Sequence, residues 1–280
     1  MNPPLNRWLP RRFALQCLAV LMAVSAATLP VAMARDGVDV GGNSAFSKLV
    51  SADNVEQSAA KEYASLLKKA AAEKVLVSSE DRQVRHLRAI ADKIIPFAND
   101  WNPRARSWRW EINLIDGKSI NAFCMPGGKI VFYTGILDQL KLNDAEIAMV
   151  MGHEIAHALR EHARARMGKN AATGIGASLL GQIFGFGDVG RTVTNYRAQL
   201  LTLQFSRTDE TDADLVGMEL AARAGFDPRA GVTLWQKMAA ANTGAPPQWL
   251  STHPSGSTRI DDIVRNLPQV MPLYERARGK

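Results

Sequence analysis

Two histidines four residues apart, with a glutamate beside the first, constrain this chain more than any other feature: His153-Glu154-Ile155-Ala156-His157. On an α-helix, positions i and i+4 lie one above the other, so both imidazoles project from one face and can reach a single metal ion, with Glu154 facing the same cleft. The surrounding sequence is apolar, so these groups are expected to be buried, and buried polar groups without partners are costly. A metal resolves that cost. Zinc held by two neutral imidazoles and a third protein ligand keeps one position for water and acidifies it, while a neighbouring carboxylate accepts the proton released during attack. The motif therefore asks for the chemistry of a zinc hydrolase.

The helix that carries it starts at Asn143-Asp144-Ala145-Glu146, where Asn143 or Asp144 caps and Glu146 sits in the first turn. It is expected to run through Ile147, Val150 and Met151 towards Arg164. His162, five residues past His157, is rotated off the ligand face on such a helix and is left out of the site. A third ligand is sought in Ser206-Arg207-Thr208-Asp209-Glu210-Thr211-Asp212-Ala213-Asp214, whose acids fall on the first turns of a second helix. Glu210 and Asp214 share a face, so one can ligate while the other accepts the free N–H of a ligand imidazole. Spacing does not choose between them, and acids at a helix N-terminus also have a purely structural use. His253, on a loop, can reach such a site as an oxyanion donor or as an extra ligand.

The rest of the chain reads as mostly helical α+β, with a small sheet next to the active-site helix. Apolar residues recur at helical spacing over 55–77 and 81–97; Trp108, Trp110, Ile112 and Leu114 then alternate with polar residues as in a half-buried strand. A turn at Asp116-Gly117, a partner strand through Ile120 and Ala122, and a third strand over 129–133 complete a small antiparallel sheet. Gly127 and Gly128 fit the rim of a cleft where an extended peptide pairs with a sheet edge, and they fit a plain hairpin turn equally well. Residues 168–190 are apolar and punctuated by glycines and read best as a flap over the cleft; residues 191–205 resume a helical pattern.

Composition narrows the function class. The 280 residues are 46% hydrophobic with a formal charge of +7, enough for a packed core. Without Arg7, Arg11 and Arg12 the 34 basic residues fall to 31 against 27 acids, interspersed along helix faces, which excludes a nucleic-acid partner and leaves at most peripheral contact with a membrane. Those arginines, the uncharged run over 13–31 and Ala32-Met33-Ala34 read as a signal peptide over residues 1–34, with a retained membrane anchor as the alternative. Export would leave Cys124 as the mature chain's cysteine, with no partner for a disulfide. The expected organisation is a signal peptide (1–34), a polar linker (35–54), a catalytic domain (55–267) and a C-terminal tail (268–280).

Four blocks together resemble the zinc metallopeptidases related to HtpX and the CAAX prenyl proteases, in particular their soluble periplasmic branch, which are gluzincins with a zincin-like fold. The blocks are Asn121-Ala122-Phe123 with Pro126-Gly127-Gly128, the motif from His153 to His157, Arg207-x-x-Glu210-x-x-Ala213-Asp214, and His253-Pro254 with Arg259-Ile260. The resemblance implies one Zn2+ held by His153, His157 and Glu210, with Glu154 as general base and Asp214 orienting a ligand. It also implies a substrate edge near Asn121, Gly127 and Gly128, and His253 close to the metal. The implied activity is endopeptidase hydrolysis of misfolded or unassembled envelope proteins in the periplasm. The alternative is a chaperone-like or self-inhibited peptide-binding protein with little turnover, the inhibition coming from His253 as a fourth ligand.

Overall fold

The structure, a computed structural model, describes residues 35–173, 205–241, 248–253 and 258–279. The leader-like residues 1–34, the expected helix over 191–204 and most of the glycine-rich stretch lie outside the described residues; of 168–190 only 168–173 fall within them. From Asp36 onward the described residues belong to one unit. Among the described residues no helix is long and apolar enough to cross a membrane.

Helix α1 (Ala52–Ala72) is capped by Ser51 and buries Val55, Ala59, Tyr63 and Ala70. Helix α2 (Arg82–Ile94) begins where Asp81 accepts the Gln83 N–H, and buries the expected stripe of Val84, Leu87, Ile90, Ala91 and Ile94. Short 3-10 turns then lead to three strands, β1 (Glu111–Ile115), β2 (Ala122–Met125) and β3 (Lys129–Tyr133). The sheet is small, as expected, but mixed rather than antiparallel. Its order is β1-β3-β2, with β1 parallel to β3 and β2 antiparallel to it. The reason lies at the outer edge of β1, where residues 75–77 already bond: Val77 N–H donates to Leu114 O and Asp116 N–H to Val75 O. Asp116-Gly117 therefore does not close a hairpin, and the chain crosses to the far side of β3. Among the described residues this makes β2 an edge strand.

Helix α3 (Thr134–Leu140) leads into α4 (Asp144–Leu159), which opens with a reciprocal capping box between Asn143 and Glu146. Such a cap is worth about 1 kcal/mol. Residues 146–159 are all buried, so α4 is the core element and its polar residues must find partners inside. It ends earlier than its sequence pattern implies. Glu161 adopts a left-handed conformation (φ 57°), and a separate helix, α5 (His162–Ala172), leaves in a new direction.

Helix α6 (Arg207–Arg223), capped by a Ser206/Asp209 box, crosses α4 at a pair of glycines. A Cβ on Gly152 would stand 2.6 Å from Gly217 O, and one on Gly217 would stand 2.5 Å from His153 N. Nothing larger fits, so the two backbones touch, and this contact brings Glu210 and Asp214 opposite the histidines of α4. Helices α7 (Ala230–Ala241), α8 (Gln248–Thr252) and α9 (Arg259–Arg278) complete the layer.

Both flanking segments are more structured than expected. In the stretch expected as a linker, Val38 N–H donates to the buried Glu219 carboxylate at 2.8 Å, and the carbonyls of Val40 and Gly41 receive the Arg160 guanidinium. In the stretch expected as a tail, α9 continues through Pro268 and Pro272 and buries Val270 and Leu273.

Candidate metal centre

His153 and His157 point from α4 with their Nε2 atoms 3.1 Å apart. From α6, Glu210 brings Oε2 to 3.6 Å from His153 Nε2 and Oε1 to 3.5 Å from His157 Nε2. His253, just past α8, places Nδ1 3.2 Å from His153 Nε2 and 3.1 Å from Glu210 Oε1. All four side chains are buried, and their ligand atoms lie within 4.8 Å of one another. Zinc with ligands at 2.0–2.1 Å in a tetrahedron has donor–donor edges of roughly 3.3 Å, so these separations fit one ion.

The hydrogen bonds around the cluster support the same fit. His153 Nδ1 is 3.0 Å from Asp214 Oδ1. An ionised carboxylate only accepts, so the proton of the neutral ring sits on Nδ1 and the Nε2 lone pair faces the centre. Arg259 stands behind both acids: its guanidinium donates to Asp214 Oδ2 at 2.5 Å, to Asp214 Oδ1 at 2.6 Å and to Glu210 Oε2 at 2.6 Å. Burial would raise the Asp214 carboxyl, but Arg259 and His153 outweigh it and hold it at about 2. Glu210 is likewise lowered, burial being outweighed by His253, His153 and Arg259. Burial, followed by the nearby imidazoles and Arg259, pushes His157 well below the usual imidazole range, the direction that a neutral metal-binding imidazole requires. His253 is raised: burial opposes its charge, and Glu154 and Glu210 favour it.

Residues 81–266 match peptidase family M48, a stretch that contains every member of this cluster. The chain belongs to peptidase family M48. M48 peptidases use zinc, and the cluster described above is able to bind it. The chain is 41% identical over 150 residues to the mitochondrial metalloendopeptidase OMA1 of Arabidopsis thaliana, covering 54% of this chain and 30% of that protein. It is 31% identical over 216 residues to mitochondrial OMA1 of Bos taurus, covering 71% of this chain and 40% of that one. With the β-barrel assembly-enhancing protease of Escherichia coli the identity is 31% over 174 residues, covering 57% of this chain and 35% of the relative. The chain thus spans less than half the length of these relatives.

The remaining site residues fall as follows. Glu154 lines a cleft of about 150 Å³ together with Asn121, Phe123, Tyr133, His157 and His253. A void of roughly that size accepts a benzene ring, so there is room for one apolar side chain. Gly127 and Gly128 do not line this cleft. Both have positive φ (85° and 76°), and a Cβ on Gly128 would stand 2.7 Å from the Trp110 ring, so the hairpin turn and local packing account for them. The cleft instead runs along β2, residues 122–125.

Two residues were missed from the sequence. His162, excluded on helical rotation, has its Nδ1 2.9 Å from His157 Nδ1. The break at Glu161 invalidates the rotation argument, and a glutamate in left-handed backbone gives no warning in the sequence. Trp249 donates Nε1–H to Glu154 Oε1 and its backbone N–H to Ile120 O. Its only sequence signal is its place one helical turn before His253.

Proposed function

We propose that the chain is a zinc-dependent metalloendopeptidase in which His153, His157 and Glu210 hold the ion and Glu154 is the general base. The observation that carries this reading is the convergence of the three donor sets at tetrahedral spacing beside a carboxylate that opens onto a cleft. Zinc bound there supplies Lewis acidity and lowers the pKa of water. Glu154 accepts the proton of the attacking water and delivers it to the amine nitrogen as the C–N bond breaks, so no covalent intermediate forms. Asp214 fixes the tautomer of His153, and Arg259 neutralises the two buried acids. The outer edge of β2 pairs with no further strand among the described residues, so an extended substrate can add to it by main-chain hydrogen bonds while one apolar side chain enters the pocket.

The proposed substrates are misfolded or unassembled envelope proteins, and the proposed compartment is the periplasm. The leader-like residues 1–34 support export, and the Escherichia coli relative is named for β-barrel assembly. The OMA1 relatives are named as mitochondrial, so cell fractionation decides the compartment. The test of activity is incubation of the zinc-loaded chain from residue 35 with unfolded casein. Internal cleavage is expected, and suppressed aggregation without cleavage products would favour the chaperone-like reading.

A second reading rests on His253. Its Nδ1 occupies the fourth corner of the donor set while its Nε2 lies 3.5 Å from Glu154 Oε1. With zinc bound, His253 in this position would stand where water is needed and would engage the base, as a self-inhibited state requires.

A further inference from the structure

We propose that His162 is a positioning residue that sets the tautomer of His157 through a chain of hydrogen bonds ending at Asp212 and Arg160. The inference rests on His157 being a metal ligand, as argued above. His162 is 5% exposed; its Nδ1 is 2.9 Å from His157 Nδ1 and its Nε2 is 3.1 Å from Asp212 Oδ2. Asp212 Oδ2 also receives the Arg160 Nε–H at 2.8 Å, and Arg160 in turn donates to Gly41 O at 3.0 Å.

Counting protons along this chain leaves one arrangement for neutral rings. Asp212 only accepts, so the His162 proton sits on Nε2 and its Nδ1 is bare. A bare Nδ1 facing another Nδ1 at hydrogen-bond distance must accept, so the His157 proton sits on Nδ1 and His157 Nε2 presents its lone pair to the centre. The two α4 ligands are thus oriented by different means. His153 uses a carboxylate directly, whereas His157 uses a second imidazole that passes on the preference of a carboxylate. Without His162, an Nε2–H on His157 would point at the bare Nε2 of His153, 3.1 Å away, and form a hydrogen bond that competes with the ion. The left-handed Glu161 makes the contact possible, because on an unbroken helix five residues turn His162 by about 140° from His157.

The test measures zinc dissociation constants by chelator competition on the full chain for wild type, His162→Phe, His162→Asn and His157→Ala. His162→Phe removes the acceptor and is expected to weaken zinc by about 10–100-fold. His162→Asn, whose amide oxygen can stand where Nδ1 stood, is expected to stay near wild type. Long-range 15N–1H NMR of the zinc-loaded wild type is expected to find the His162 ring proton on Nε2 and Nδ1 bare, a readout that does not depend on any variant folding. Wild-type affinity in His162→Phe, or His162 protonated on Nδ1, would overturn the relay. If His157→Ala binds zinc as tightly as wild type, the metal-centre reading itself fails, and the relay with it.

Discussion

The indole Nε1–H of Trp249 donates to Glu154 Oε1 at 2.6 Å, and both side chains are buried. Trp249 is held by stacking on Trp235 at 5.3 Å between centroids, and Trp235 lies under the Arg259 guanidinium at 3.7 Å. The N–H edge of one member of this aromatic pair therefore holds the proposed base, while the ring face of the other meets the cation that neutralises Asp214 and Glu210. A hydrogen bond to a charged group is worth about 1.5–3 kcal/mol. Trp249→Phe keeps an aromatic ring but loses the donor, and it is expected to lower kcat/KM on the order of 10–100-fold with zinc content unchanged. Steady-state cleavage with metal analysis checks this; loss of zinc together with activity would assign Trp249 to the fold instead.

His253→Ala empties the fourth corner of the donor set and frees Glu154 from the imidazole. If His253 restrains the enzyme, turnover of an unfolded substrate rises by about tenfold, the effect of removing ~1.4 kcal/mol of competition. A fall in kcat with KM unchanged would make His253 an oxyanion donor.

Arg259 is a buried cation serving two buried carboxylates, so removing it leaves Asp214 and Glu210 with only their imidazole partners. Arg259→Leu is expected to destabilise the fold by about 3–5 kcal/mol. The loss should be larger in chelator-treated protein than in zinc-loaded protein, because the ion gives Glu210 a second positive partner. Thermal melts of both forms measure it, and equal losses would show that Glu210 does not ligate.

Asp214 carries a pH signature. Its carboxyl is lowered from 3.8 to about 2 in the folded chain, so it contributes stability that is complete above the unfolded value and is lost as pH falls through the folded one. The contribution is on the order of 2 kcal/mol. In denaturant titrations of chelator-treated protein, the advantage of wild type over Asp214→Asn is expected to stay level down to about pH 4 and to shrink between pH 4 and 2. A gap that grows on acidification has the wrong sign for this account.

Much of the centre was legible because it is local. The capping residues Asn143 and Glu146, the i,i+4 histidines and the acids of 209–214 each announce a helix and a face within a few residues. The choice of Glu210 over Asp214 as ligand was not local; it came from the family resemblance, and in the fold Glu210 lies within the donor cluster while Asp214 stands behind His153. What escaped depends on tertiary geometry. The sheet order is set by residues 75–77 occupying an edge from outside, and the α4–α6 contact by Gly152 meeting Gly217. His162 was hidden by a helix break at a residue type that does not advertise one. Trp249 reaches Glu154 across 95 residues of sequence.

In the proposed mechanism Glu154 moves the proton while other residues hold the metal. Glu154→Gln tests it, since the amide keeps the size of the side chain but is not a base. The variant chain from residue 35 should bind one zinc with wild-type affinity and cleave unfolded casein at least about 10²-fold more slowly, the scale of general-base catalysis. Cleavage at the wild-type rate with zinc bound would contradict the account.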